Sequence, residues 1–308
     1  MPRLTPARRA RLRRGFTLVE MLITLGVLSI VGTVAAKLMM GQQRFYQRTS
    51  EQMGMRRELR SAMSLVPGDL RAISSSGGDI SAMSSTSITF RNVLGTGVVC
   101  ARGNSWVELP PTDQTRNKLT SWYTAPTVGD TIWAFNDSLS RGAEDDVWTP
   151  LRITGVATSS AYCGASAYTD NALDAGMTRY HFDVSPSLPD SVVVGSALRF
   201  TRSVKYEVQQ QTSGRYYLTR SEYTGGAWQG AVPISGPYMA PANGAGGVTL
   251  AYYDSLGAAV NNVAQSRSVS RIDLALRVQG ANSSGMFGTS STTNTDSLFF
   301  RIALRNRQ

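Results

Sequence analysis

Arg13-Arg14-Gly15-Phe16-Thr17-Leu18-Val19-Glu20 runs directly into Met21-Leu22-Ile23-Thr24-Leu25-Gly26-Val27-Leu28-Ser29-Ile30-Val31-Gly32-Thr33-Val34-Ala35-Ala36. From Phe16 to Ala36 the chain runs 21 residues with a single charge, Glu20. At about 1.5 Å per residue, a helix of that length covers the roughly 30 Å hydrocarbon core of a bilayer, so the stretch predicts a membrane-spanning helix. A secretory signal peptide has a shorter apolar part, about 7–15 residues, that leads into a small-residue cleavage site. Lys37-Leu38-Met39-Met40-Gly41-Gln42-Gln43 offers no such site, and the apolar run is expected to stay attached. Glu20 is its odd member. A carboxylate at helix-centre depth costs about 2.5–3.5 kcal/mol on insertion scales, less near the interface, and a residue kept at that cost is by default functional. The bland alternative is an ordinary signal anchor whose Glu20 snorkels or pairs locally.

Gly15-Phe16-Thr17-Leu18-Val19-Glu20, with the apolar helix behind it, resembles the prepilin signal of type IV pilins and type II secretion pseudopilins. The resemblance implies that a prepilin peptidase cuts between Gly15 and Phe16 and methylates Phe16, and that Glu20 serves subunit assembly. Such a cut would place an α-amino group, of ordinary pKa about 7.7–8.0, one helical turn from Glu20. Amine and carboxylate can then neutralise each other, within one subunit or between neighbours. The sequence departs from the family in one respect: many pilins carry a proline late in the membrane helix, and Phe16–Met40 has none, which leaves Gly26 and Gly32 as the weak points.

The chain has 308 residues and a net charge of +10. That length exceeds a usual single domain of about 100–150 residues and allows a sizeable core. Arg3, Arg8, Arg9, Arg11, Arg13 and Arg14 all precede the expected cut, and without them the charge falls to +4. They favour a cytoplasmic N-terminus, against a weaker opposing set of Lys37, Arg44 and Arg48. With that orientation, the pilin resemblance implies a location in the bacterial inner membrane, crossed once, with the C-terminal domain periplasmic and later on the pilus or cell surface. From residue 72 onward, 18 Lys and Arg face 17 Asp and Glu, which gives no net basic field to draw in nucleic acid. Expected partners are the prepilin peptidase, other major and minor pilins and the inner membrane; no small-molecule substrate and no cofactor are expected.

Cys100 and Cys163 both fall in the part expected to be exported. An even pair in an oxidising compartment usually bridges, and closing such a loop is worth roughly 4 kcal/mol in the chain-entropy model. Two buried free thiols are the alternative, which spacing alone does not decide. With two cysteines and one histidine, His181, a zinc site is not expected.

Beyond the anchor, Leu59, Met63, Val66, Leu70 and Ile73 recur at steps of 4, 3, 4 and 3, one apolar stripe along a helix, with Arg56, Arg57, Arg60 and Arg71 off it. Pro67-Gly68 predicts a kink there, or a short second helix. Ser74–Ser87 has the composition of a linker, and 103–129 and 159–176 read as loops. Strands are expected over 87–90, 131–135, 151–156, 179–184, 198–208, 215–220, 248–254, 269–278 and 298–305, the later ones alternating apolar and polar, with a slip at Arg202-Ser203. The fold class is α+β: a long N-terminal helix, transmembrane then amphipathic, packed on an antiparallel sheet, with an additional β-rich lobe or loops. The pilin resemblance implies the same layout. The segments are a basic leader 1–15, a membrane half 16–40, an amphipathic half 41–73 and a β-rich domain 74–308, divisible near 87–195 and 196–308. Arg271-Ile272-Asp273-Leu274-Ala275-Leu276-Arg277 and Phe300-Arg301-Ile302-Ala303-Leu304-Arg305-Asn306-Arg307 are similar to the ending of PilW-like minor pilins.

No hydrolase, metalloprotease, phosphate-loop or dinucleotide motif occurs, and an enzyme is not expected. His181, between Tyr180 and Phe182 in an alternating strand, reads as structural. Glu144-Asp145-Asp146, with Asn136-Asp137 upstream, lacks calcium-loop spacing and reads as a solvated acidic turn. Trp106, Trp122, Trp133, Trp148 and Trp228 read as core or loop packing, since single-stranded nucleic acid binding wants such rings interleaved with a basic groove. The expected function is a minor pilin that helps initiate or cap a type IV pilus. A type II secretion pseudopilin uses the same anchor and is the alternative; a membrane-anchored binding module or enzyme, or a pilin-like protein of DNA uptake, ranks below both.

Overall fold

The computed structural model describes residues 17–114, 118–136, 147–164, 166–170, 172–242, 246–280 and 295–304. Two compact units are distinguished, Met1–Met53 and Gly54–Gln308. The one α-helix among the described residues, α1 (Leu18–Arg71), contributes to both.

In the first unit α1 is exposed at every position from Leu18 to Met40. A predominantly apolar helix on which none of the described residues packs is compatible with lipid as its solvent. Its hydroxyls are satisfied inside the helix: Thr24 Oγ1 donates to the Met21 carbonyl (2.9 Å), Ser29 Oγ to Gly26 (3.0 Å) and Thr33 Oγ1 to Ser29 (2.7 Å). Hydrocarbon surroundings demand such internal satisfaction.

In the second unit α1 buries Met55, Leu59, Ala62, Val66, Pro67 and Leu70, and Ile73 is buried just beyond its end. Met63, expected in this stripe, is 42% exposed. At about 100° per residue, positions 55, 59, 62, 66 and 70 share an arc of about 80°, and position 63 falls outside it. Pro67-Gly68 does not end or divide the helix, which continues to Arg71. Pro67 is buried together with Val66 and Leu70, and that burial offsets the ~3 kcal/mol that a proline costs inside a helix.

The expected linker holds a strand, β1 (Ile80–Met83). There follow β2 (Ser87–Val98), β3 (Ala101–Arg102), β4 (Trp106–Leu109), β5 (Ser121–Trp122), β6 (Thr131–Asn136), β7 (Val147–Ser159) and β8 (Arg179–Ser185). The rest are β9 (Ala197–Gln210), β10 (Tyr216–Thr224), β11 (Ala227–Trp228), β12 (Val232–Tyr238), β13 (Val248–Tyr253), β14 (Arg271–Gln279) and β15 (Thr295–Ala303). β4 and β5 lie in the stretch read as a loop. All pairings are antiparallel, in the order β13-β14-β12-β10-β9-β6-β7-β8-β4-β3, with β2 along β9, β1 and β5 on β2, β11 on β10 and β15 on β14.

Two apolar clusters lie along this sheet. The first joins the α1 stripe to Ile88, Phe90, Val204, Tyr206, Leu218, Leu250, Ile272 and Leu276. The second gathers Leu94, Leu109, Ile132, Leu151, Ile153, Phe182, Leu198 and Phe200. β2 and β9 supply both clusters, and their pairing joins a strand before residues 195–196 to one after them. On β9 the inward slots are Leu198, Phe200, Arg202, Val204 and Tyr206. Arg202 occupies the slot between the two clusters, where Asp130 meets it.

Candidate functional site: the N-terminal signal and anchor

Thr17 caps α1. Its Oγ1 accepts from the Glu20 N–H (3.3 Å) and its carbonyl from the Met21 N–H (3.2 Å). Thr-x-x-Glu is the capping-box spacing, so Glu20 stands at the third helical position, where the positive end of the helix dipole favours a carboxylate. The Glu20 side chain is exposed, and among the described residues no hydrogen bond or ion pair reaches its carboxylate. The arrangement offers an anion, fixed by the first turn, to a cation from residues before Thr17 or from another molecule. Gly15 and Phe16 lie outside the described residues. The cap role of Thr17 was missed in reading the sequence, although the Thr-x-x-Glu spacing was available there.

The other expected positions sort as follows. Cys100 and Cys163 are bonded, with Cα atoms 5.5 Å apart and a sequence separation of 63. His181 Nδ1 lies 3.3 Å from Glu108 Oε1, and its Nε2 lies 3.3 Å from Asp183 Oδ1. The second Glu108 oxygen accepts from the Cys163 N–H at 2.7 Å, so His181 and the bridged loop share one buried carboxylate. The rings of Trp106 and Tyr162 each lie 5.1 Å from the imidazole. Of the acidic turn, Asp137 and Glu144–Asp146 lie outside the described residues. Among the described residues no group of three or more His, Cys, Asp or Glu side chains is placed to hold a metal.

The tryptophans divide. Trp122 packs edge-on to Tyr180 (4.6 Å) and Phe200 (5.8 Å) in the second cluster. Trp148 and Trp228 stand 42% and 44% exposed on strands, which corrects their reading as core or loop packing. Each sits at a strand position whose neighbour, Val147 or Ala227, is exposed as well, and the cross-strand partners Phe135 and Tyr223 are visible only once strand register is known.

A family profile described as the prokaryotic N-terminal methylation motif matches residues 10–36. No match was found among curated proteins or among solved structures. The profile spans the Gly15-Phe16 junction, Glu20 and the apolar run to Ala36. Together with the exposed apolar helix it supports a type IV pilin-like or pseudopilin-like chain, structural in type, processed by a prepilin peptidase, associated with pilins and anchored by a single pass in the inner membrane.

Proposed function

We propose that the chain is a minor pilin, an interaction subunit that helps initiate or cap a type IV pilus after cleavage at Gly15-Phe16 and methylation of Phe16. The observation that carries this reading is the methylation motif over residues 10–36, set on a helix whose Leu18–Met40 surface is apolar and exposed apart from Glu20 and Lys37. A subunit held by that helix has its N-terminus in the cytoplasm and its sheet domain in the periplasm. The minor-pilin reading is further supported by the two PilW-like stretches, residues 271–277 on β14 and 300–307, of which the part to Ala303 lies on β15 and 305–307 lies outside the described residues; β14 and β15 pair from Arg271 with Ala303 to Gln279 with Thr295.

Mass spectrometry of the membrane-extracted protein tests the processing: N-methylated Phe16 is expected, and an intact Met1 start in a host with active prepilin peptidase overturns the reading. Deleting the gene then separates the assemblies. Loss of surface pili with protein export intact supports a minor pilin; normal piliation with export substrates trapped in the periplasm assigns a secretion pseudopilin instead.

A further inference from the structure

The sheet face turned away from the core collects a strip of residues that the linear sequence disperses. Residues opposite one another on neighbouring strands share a face. Trp133 lies opposite Arg199 and Pro150, Phe135 opposite Trp148, and Thr131 opposite Arg152. Across β9, Arg91 lies opposite Ser203, and Lys205, two residues on, lies opposite Ser221 of β10. Tyr223, two residues beyond Ser221, pairs with Trp228. The side chains meet as cation over ring: Arg91 is 4.3 Å from the Trp133 ring centre, Lys205 5.7 Å from Trp228 and Arg152 6.0 Å from Tyr223.

We propose that this strip binds single-stranded nucleic acid. The near balance of charge over the chain beyond residue 72 conceals a local excess. Buried Asp79 is shared by Arg91 (3.4 Å) and Arg199 (2.9 Å), and Glu207 takes Lys205 (3.0 Å). Arg152 has no carboxylate partner among the described residues, its Nη2 donating to the Tyr223 hydroxyl (3.4 Å), and Arg267 adds a further cation beside Gly78. Cations set among rings suit phosphates, and exposed Trp148 and Trp228 offer faces on which any base can stack, with guanidinium planes extending the platform. A sugar-binding strip would set hydroxyl-binding carboxylates and amides against its rings, whereas here the groups that lie over the rings are cations, with Glu207 held by Lys205. A duplex would keep its bases hidden from the rings. The binding is a property of the sheet domain and does not rest on assembly into a pilus.

The test uses the full chain in neutral-detergent micelles and a fluorescein-labelled twenty-residue oligothymidylate, followed by anisotropy over a salt series. The leader arginines are common to all variants, so differences among variants report the strip. Trp148→Ala and Trp228→Ala, both at exposed positions, are each expected to weaken binding about tenfold. Arg152→Ala is expected to reduce the slope of log affinity against log salt by about 0.7. Arg215→Ala, before the far end of β10, leaves both unchanged. Absence of binding, binding by the two tryptophan variants as tight as that of the parent chain, equal affinity for a duplex of the same length, or binding of polygalacturonate with the oligonucleotide excluded would each overturn the proposal.

Discussion

Arg202 and Asp130 meet as a two-pronged ion pair, Nε to Oδ1 at 2.9 Å and Nη2 to Oδ2 at 2.8 Å, both side chains closed to solvent. The pair does not stand alone. Arg202 Nη1 donates to Glu222 Oε2 (3.0 Å), Glu222 holds Arg220, Arg220 Nε lies 3.4 Å from Asp69 of α1, and Asp69 accepts from the Tyr206 hydroxyl (2.8 Å). A continuous polar chain thus links the helix to the seam between the two apolar clusters.

Removing one partner of a buried pair leaves the other charge stranded. Arg202→Met is expected to cost about 3–5 kcal/mol in urea denaturation. Arg202→Met combined with Asp130→Leu should cost clearly less than the sum of the two single changes. Strict additivity would mean that the pair is uncoupled.

The pH dependence has two edges. Burial, reinforced by the Asp69 charge, raises the Tyr206 hydroxyl above its ordinary value, and burial does the same for Tyr252 and lifts Tyr238 to about 12. A group raised in the folded state stabilises fully below its unfolded pKa, so stability should hold to about pH 10 and fall as pH rises beyond it. On the acid side, burial opposes ionisation of Glu222, but hydrogen bonds from Arg220 and Arg202 outweigh it and hold the carboxyl below the ordinary range. Its contribution is present above about pH 4.3 and is lost as pH falls through the lower folded value. Urea midpoints from pH 3 to 11 check both edges, with Glu222→Gln flattening the acid one.

Leu70 is wholly buried and Met63 is 42% exposed, one on the α1 stripe and one off it. Leu70→Ala is expected to destabilise by about 2–5 kcal/mol. Met63→Ala should change stability by no more than about 0.5 kcal/mol. Equal losses would place Met63 back on the packed face.

The Cys100–Cys163 bridge closes a loop of 63 residues, worth about 4 kcal/mol in the chain-entropy model. Exported protein, denatured without reductant, should take up no thiol label, and the double Cys→Ser variant should melt well below the parent. Labelling of both cysteines would show that the bridge does not form in the cell.

Glu20 carries two separable properties, a polar side chain at the capping-box position of the first turn and a charge. Glu20→Gln preserves the capping-box chemistry and removes the charge, whereas Glu20→Ala removes both. If the charge serves assembly, both variants stay inserted and cleaved yet yield few pili. Normal assembly of Glu20→Gln would reduce the residue to a helix cap, and failure of both to insert would assign it to the anchor.

The anchor was legible because its signal is local: one charge in an apolar run beside a small-aromatic junction. The sheet was legible wherever one face is dry and the other wet, as in β9 and β14. The slip read at Arg202-Ser203 is a charged residue in an inward slot, its partner Asp130 far off in sequence. β12 escaped notice because Pro233 and Pro237 argue against a strand, and β4 because four residues with Glu108 among them show no alternation. The outward tryptophans could not be grouped without strand register, since cross-strand neighbours here are separated by up to about a hundred residues.

β9 runs through both clusters with β2 hydrogen-bonded along it from Ser87 to Val98. Along β2 and β9 the sheet is a continuous beam, whereas β13, β14 and β15 join it through a single ladder pair, Tyr238 with Val278. Strands laid side by side over that length must slide past one another in concert before either cluster can open. The part of the domain built on β2 and β9 should therefore yield all at once, both clusters opening in one calorimetric transition and one rupture event under a pulling force.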